Sequence, residues 1–366
     1  AVTDYWTQYR DFGARLVDLD PDKDEWKTEL AYGHRNLASL ALDEGDAKAA
    51  EAGFRRALAI SEALAAKHPD DKEIQIALAQ DYYWLSSAFE RVGDFAAAEM
   101  ANKSEAEVYA ALLARDPDDD SVLHRVSVNG RVGARIAMAS GDANRALEIL
   151  LALVPQHDER IARDPQNSRW HDYYSLLQID IGAAHLTLGN IDAARPAADA
   201  ALEKADRLLA LDPASVDWAV NNRWRALLLA ARCALAMGDL MTAARHIEQA
   251  EFVVANLSTT QSSSFIGKLA LRTNLVRAKL AELSGDPVEA NRIAVRLLES
   301  VERFLPKSGF ESRMDFVDAL MLAGEMTRAA AIANDLEAAG YRHPDFIRLK
   351  MKLQTLEGRE GASRNN

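Results

Sequence analysis

The segment LLARDPDDDSV, Leu112–Val122, sets Asp116, Asp118 and Asp120 at alternate positions, with Asp119 inside the run. Alternate carboxylates are how an EF-hand loop offers its first oxygen ligands to calcium, so cation binding is the chemistry this spacing would do. That template, started at Asp116, needs glycine at its sixth position and glutamate at its twelfth. The chain has Ser121 and Ser127 there. The sister segment with Asp20, Asp22 and Asp24 offers Glu25 and Ala31 in the same two places and fails equally. Carboxylates in the first turn of a helix are stabilised by the positive end of its dipole. The acidic segments therefore read as helix starts.

The remaining reactive side chains are scattered. The eight histidines, His34, His68, His124, His157, His171, His185, His246 and His343, form no HExxH pair and no zinc spacing with cysteine. His185 falls in a column that elsewhere holds Ala41, Phe89, Ala137 and Ala234, which suits a partly buried structural imidazole. Cys233, the only cysteine, lies among alanines and reads as a small core residue; one thiol makes no intrachain disulfide. No phosphate-binding loop, dinucleotide fingerprint or Gly-x-Ser-x-Gly elbow occurs. Asn256-Leu257-Ser258 matches a glycosylation sequon, with nothing else pointing to secretion. The expectation is a protein that is not an enzyme, with no catalytic residue, metal or cofactor.

Composition narrows the classes further. A net charge of -13 over 366 residues disfavours nucleic acid and anionic membranes as partners, because phosphate contacts need clustered Lys and Arg. The apolar run at Ala226–Ala231 is bracketed by Arg225 and Arg232 and is far shorter than the ~20 residues a spanning helix needs. With no signal peptide at the start, a cytoplasmic protein is expected.

The strongest signal is a repeat. Pro21, Pro69, Pro117, Pro165 and Pro213 recur every 48 residues, and five residues after each stands Trp26, Ile74, Val122, Trp170 or Trp218. A second series is Gly45, Gly93, Gly141, Gly189, Gly238, Gly285 and Gly324, all but the last followed by Asp or Asn. Five residues after each glycine comes alanine: Ala50, Ala98, Ala146, Ala194, Ala243, Ala290 and Ala329. Chance would give seven such alanines about once in 10⁵. Between the two series lie helix-length segments with apolar stripes at steps of four, seven and four, as in Trp26, Leu30, Leu37 and Ala41. Glycine ends the first helix of each repeat in a left-handed cap. The following Asp or Asn caps the second helix, and proline ends it. Pro155 and Pro196 fall inside second helices, where each is expected to kink the helix or begin a new segment.

This pattern resembles the tetratricopeptide repeat (TPR) family, in a long variant of 48 residues. The residues that carry the likeness are the turn Gly45, the close-contact Ala50, the aromatic Phe54 and the small Ala57, with Leu37 and Ala38 upstream. The small position recurs as Ala38, Ser86, Ala134, Gly182, Ala231 and Ala278, whereas Asn102, Leu150 and Ala198 replace the aromatic. The implied fold is all-α, a right-handed αα superhelix of about seven helical hairpins. Regular repeats cover residues 1–256, the first one partial, and irregular ones residues 257–342. A polar joint at Asn256–Ser264, a capping helix at 343–357 and a disordered tail at 358–366 complete the organisation. Because Val2, Trp6 and Leu16 align with Ala50, Phe54 and Leu64, the chain opens inside a second helix. The expectation is the C-terminal part of a longer protein.

The resemblance also implies that positions 13, 10 and 6 residues before each turn glycine line a concave groove formed by the first helices. Those columns include Arg35, Tyr83, Arg131, Arg135, Arg225, Arg232, Arg272 and Lys279. Guanidinium groups suit carboxylates, so the implied partner is a protein or peptide with an acidic segment or a C-terminal carboxylate. The competing reading is that these cations are solvated or pair with acids on the adjacent helix. Such arrays resemble those appended to bacterial signalling proteins, which implies a scaffold or sensor regulating an effector domain. The alternative is a structural self-assembly module with no groove ligand; the sequence does not fix the oligomeric state.

Overall fold

The computed structural model describes residues 2–257, 263–301 and 309–364. Among them there is no strand, and helices follow one another from end to end. The architecture is all-α, of the superhelical hairpin class expected. The chain divides into two compact units, Ala1–Ile136 and Ala137–Asn366.

In unit 1, α1 (Val2–Leu19) packs on α2 (Asp24–Glu44), which pairs with α3 (Ala47–Lys67). A second pair follows, α4 (Lys72–Val92) with α5 (Phe95–Leu113), and α6 (Asp120–Ser140) crosses into the next unit. In unit 2, α7 (Ala143–Arg163) leads to the pair α8 (Ser168–Thr187) and α9 (Ile191–Leu211). The pairs α10 (Arg225–Ala236) with α11 (Leu240–Leu257), α12 (Ser263–Leu283) with α13 (Pro287–Val301), and α14 (Phe310–Leu322) with α15 (Met326–Ala338) complete it, before α16 (Pro344–Arg364). The even-numbered helices α2 to α14 are the first helices of their repeats.

All seven turn glycines adopt positive φ, between 74° at Gly238 and 99° at Gly141. A side chain would be strained there, so glycine is a backbone requirement. The aspartate that follows caps the second helix in five repeats: the carboxylates of Asp46, Asp94, Asp142, Asp239 and Asp286 each accept a backbone N–H three residues on, whereas the Asn190 side chain makes no cap bond to α9. The seven alanines that follow are all buried, as are the six members of the small column. They are where the helices come closest. A Cβ on Gly182 would stand 2.6 Å from a Leu229 methyl, and one on Gly53 would stand 2.7 Å from the Ala38 methyl.

The acidic segment of α6 is a helix start. Asp119 Oδ1 accepts from Ser121 and Val122 N–H, at 3.0 and 3.3 Å, and from the Ser121 hydroxyl. Its other oxygen pairs with Lys72 at the start of α4, one repeat earlier. No group of three or more His, Cys, Asp or Glu among the described residues could hold a metal.

Pro155 and Pro196 begin no new segment; α7 and α9 run through them. Two features depart from the expected pattern. α16 continues to Arg364, beyond the end at residue 357 that its sequence suggested. Finally, Trp218–Trp224 forms a π-helical stretch leading into α10. Its cause is one residue of length. Gly238 lies 49 residues after Gly189, where the earlier turn glycines are 48 apart. A π turn takes up one more residue than an α turn, so the register downstream is restored and Ala231 reaches its buried position. Asn222 in this stretch donates to the Asp172 carboxylate at 2.9 Å, and Trp224 Nε1 donates to Thr273 Oγ at 2.9 Å. The polar joint of residues 256–264 lies largely outside the described residues, as does the chain end at 365–366.

Two outcomes follow for unit 1. A Cβ on Gly33 would meet Arg10 Cα at 2.9 Å and Arg10 N at 3.2 Å, backbone atoms that do not move cheaply. Gly33→Ala is therefore expected to lose about 1 kcal/mol in urea denaturation, overpacking outweighing the gain in helix propensity; a stabilised variant would show that α1 does not press on α2. The second outcome concerns acid. Burial pushes the Asp119 carboxyl up, but Lys72 and the donors of the helix start outweigh it and hold it down to about 2 from 3.8. Bonds from Lys67 and His68 likewise hold Asp24 well below the ordinary carboxylate range. A depressed folded value means stability that is present above pH 3.8 and lost as pH falls toward about 2. The urea midpoint should drop across that window, and less steeply in Asp119→Asn.

Candidate functional site: the face of the first helices

The seven cations that the sequence singles out sit on the first helices of their repeats, and five of them meet an acid of a neighbouring first helix. In unit 1, Arg35 on α2 reaches Asp81 on α4 at 2.6 Å. Asp81 is fully buried, and its second oxygen accepts the Ser61 hydroxyl at 2.5 Å. Arg135 on α6 grips Glu90 at the end of α4 with two bonds of 2.8 Å. Arg131 lies about one helical turn before it, half-buried and engaged within the fold. Tyr83 packs edge-on against Trp84 at 5.3 Å, and Trp84 stacks on Phe54.

Unit 2 repeats the arrangement. Arg225 on α10 meets Asp180 on α8 at 2.9 Å. Arg272 on α12 is held between Glu311 and Asp315 of α14, at 2.6 and 2.9 Å, and Lys279 pairs with Asp318 one turn further along. Arg35–Asp81, Arg135–Glu90, Arg225–Asp180 and Arg272–Asp315 are separated by 46, 45, 45 and 43 residues. Each separation is slightly less than one repeat. The signal was therefore present in the sequence, as an acid just under one repeat length from each base.

Arg232 is different. Its partner is Asp345, 113 residues away at the start of α16, at 3.4 Å. The segment around Asp345 lies along the C-terminal ends of several first helices. Arg342 N–H donates to Ala139 O at 2.8 Å, and the Arg342 carbonyl lies 3.0 Å from where a Cβ on Gly141 would stand. Arg348 donates to Thr187 O at 3.0 Å, and Lys352 approaches Glu282 at 3.7 Å. His343 Nδ1 accepts the Asp345 N–H at 3.1 Å and so starts α16, while Tyr341 and Phe346 are buried beside it. Burial would raise the Asp345 carboxyl; the guanidiniums of Arg232 and Arg348 outweigh it and hold the group below the ordinary range. Within unit 2, residues 341–352 thus pack along the C-terminal ends of the first helices.

The other candidate groups are structural. Cys233 is buried and its thiol pushed up to about 11 by burial. His185 is half-buried, with burial lowering its basicity. One polar cluster has no counterpart in the sequence reading. Asn102, in the aromatic's place, exchanges amide-to-carbonyl bonds with Asn129 at 3.1 and 2.9 Å, and Asn129 also donates to Glu105 at 2.9 Å. Glu105 is buried, which pushes its carboxyl up to about 7.

No family model matches the sequence, and no curated protein matches it. Solved structures do. The apo form of RapI superposes with a TM-score of 0.52 at 10% identity, over 88% of this chain and 99% of that one. A tetratricopeptide repeat protein from Parabacteroides merdae gives 0.46 at 16% identity, over 89% and 98%. A signal transduction ATPase with a tetratricopeptide repeat sensor, from Pyrococcus horikoshii, gives 0.49 at 12%, over 96% of this chain and 48% of that one. The chain is an αα-hairpin repeat protein. Its fold is that of a TPR-like array. Among the described residues no helix is long and apolar enough to cross a membrane.

Burial decides what the ion pairs are worth. Arg35→Met leaves Asp81 charged and fully enclosed, and is expected to cost about 3 kcal/mol. Arg35→Met combined with Asp81→Asn should recover part of that loss. Arg135→Ala breaks a pair whose arginine is 47% exposed and should cost less than about 1 kcal/mol. Equal losses from the two single substitutions, in chemical denaturation, would contradict this ordering.

Proposed function

We propose that the chain is a non-catalytic protein-interaction array whose first helices form a concave groove for a peptide or protein partner with an acidic segment or C-terminal carboxylate. Within a longer parent chain, in the cytoplasm, it senses or recruits that partner for an effector domain. The observation that carries this reading is the packing of residues 341–352 on the first helices within unit 2. A carboxylate takes Arg232, an arginine takes a helix-end carbonyl, and a backbone N–H takes another. These are the contacts a foreign acidic segment would make. Arg232 is 46% exposed and its bond to Asp345 is long, so a competing carboxylate meets little resistance there. In unit 1, Arg131 and Arg135 lie on α6, Arg135 in the same repeat position as Arg232.

The test is charge reversal, Arg131→Glu, Arg135→Glu and Arg232→Glu together, read with a fluorescein-labelled peptide of alternating Asp and Ser. The wild-type chain should bind it and the variant should lose at least about tenfold in affinity, with helicity unchanged by circular dichroism. Asp345→Asn, which weakens the internal competitor, should bind the peptide more tightly. Unchanged binding in the triple variant sinks the groove reading.

A further inference from the structure

We propose that unit 1 carries a second recognition site of opposite preference, a pocket for a lysine or arginine side chain of a basic peptide. It goes beyond the acidic-partner reading and does not rest on it. A cavity of about 460 Å³ opens between α1, α2, α3 and α4. Ligand pockets start at about 300 Å³, so this one holds a long side chain together with part of its backbone. Its walls carry the rings of Tyr9 and Tyr32, the carboxylates of Glu29, Asp71 and Glu73, and the guanidinium of Arg35.

The charges do not balance within the pocket. Arg35 is the one cation among those groups, and buried Asp81 already matches it at 2.6 Å. The three wall carboxylates therefore set the potential, and a low-dielectric wall focuses it. The aromatic rings add a second preference for the same ligand. Trp6, Tyr9 and Tyr32 pack edge to face, with centroids 5.4 to 6.0 Å apart. Each of these three contacts sets one ring's edge against a face of another, so together they occupy three of the six π faces. Tyr32 is 43% exposed on the face of its helix. A cation within about 6 Å of such a ring is attracted by its quadrupole.

The pocket is also built rather than incidental. The Tyr9 hydroxyl donates to Glu29, which ties α1 to α2 and fixes the carboxylate; with burial, that bond pushes the phenol up to about 12, so it stays a donor. Asp71 caps α4 through Oδ1, at 3.0 and 3.2 Å from the Glu73 and Ile74 N–H groups. A neutral apolar side chain would desolvate these carboxylates with nothing in return, and an anion would be repelled. An ammonium or guanidinium on an apolar stem satisfies both wall types.

The experiment uses the full chain and acetylated, amidated peptides of sequence GSKSKSG, titrated by calorimetry. Peptides with norleucine or glutamate in place of both lysines are the controls. The lysine peptide should bind, and norleucine and glutamate peptides should not. Tyr32→Ala and Glu29→Gln should each weaken the lysine peptide about tenfold, while Tyr32→Phe, which keeps the ring, retains it. The triple arginine reversal described above should leave this binding in place, which separates the two sites. Absence of lysine-peptide binding to the wild-type chain, equal binding of the norleucine peptide, or insensitivity to both weakening substitutions would overturn the proposal.

Discussion

Two helices joined by a tight turn approach only as closely as the side chains between them allow, and in this chain that clearance is set by methyl groups and hydrogens. Ala50, Ala98, Ala146, Ala194, Ala243 and Ala329 have no exposed surface at all. The turn glycine five residues earlier takes the left-handed conformation that brings the second helix back onto the first. Turn and contact are therefore one device. The glycine aims the helix, and the alanine lets it arrive. Larger side chains in the alanine column would splay the hairpin, and the apolar stripes would no longer meet their neighbours.

Because the device recurs every 48 residues, it also fixes which residues face each other across neighbouring repeats. The polar contacts obey that register: Lys72 with Asp119, Arg115 with the Pro69 carbonyl, and Trp224 with Thr273 are separated by nearly one repeat. The arginines of the first helices obey it too. A column of bases on one helix needs a column of acids on the next if the helices are to lie side by side in a chain of net charge -13. The ladder that results is part of the stacking as well as a feature of the exposed face.

The repeat was legible because its signals are backbone signals. Left-handed glycines, helix-capping aspartates and helix-ending prolines act locally, so Gly45, Asp46 and Pro69 could each be interpreted from a few neighbours. The small column was legible for the same reason, since its spacing from glycine is constant. The ladder was only half legible: Arg225 stands out alone, whereas its tie to Asp180 needs the helix register that the fold supplies. The π stretch at Trp218–Trp224 follows from a single extra residue before Gly238, a deviation small enough to pass as drift. Nothing local could pair Arg232 with Asp345 across 113 residues. Pro196 lies in the sixth position of α9, where its missing N–H costs one helical bond that the packed helix absorbs.

The ladder separates into two kinds of ion pair, and the distinction bears on recognition. Arg35–Asp81 is enclosed, with the carboxylate bonded on both oxygens, so exchanging its partner would strand a buried charge. Such a pair holds repeats together and leaves no vacancy for a ligand. Arg135–Glu90 and Arg232–Asp345 involve arginines about half exposed. Water and salt already weaken these pairs, and a foreign carboxylate replaces like with like at little net cost. In the proposed groove reading the enclosed pairs hold repeats together and the half-exposed ones offer arginines for exchange, and burial along each first helix assigns the two kinds. The pocket beside Tyr32 belongs to the same logic. There the guanidinium is spent on an enclosed partner, and the acids left facing the solvent define what the surface attracts.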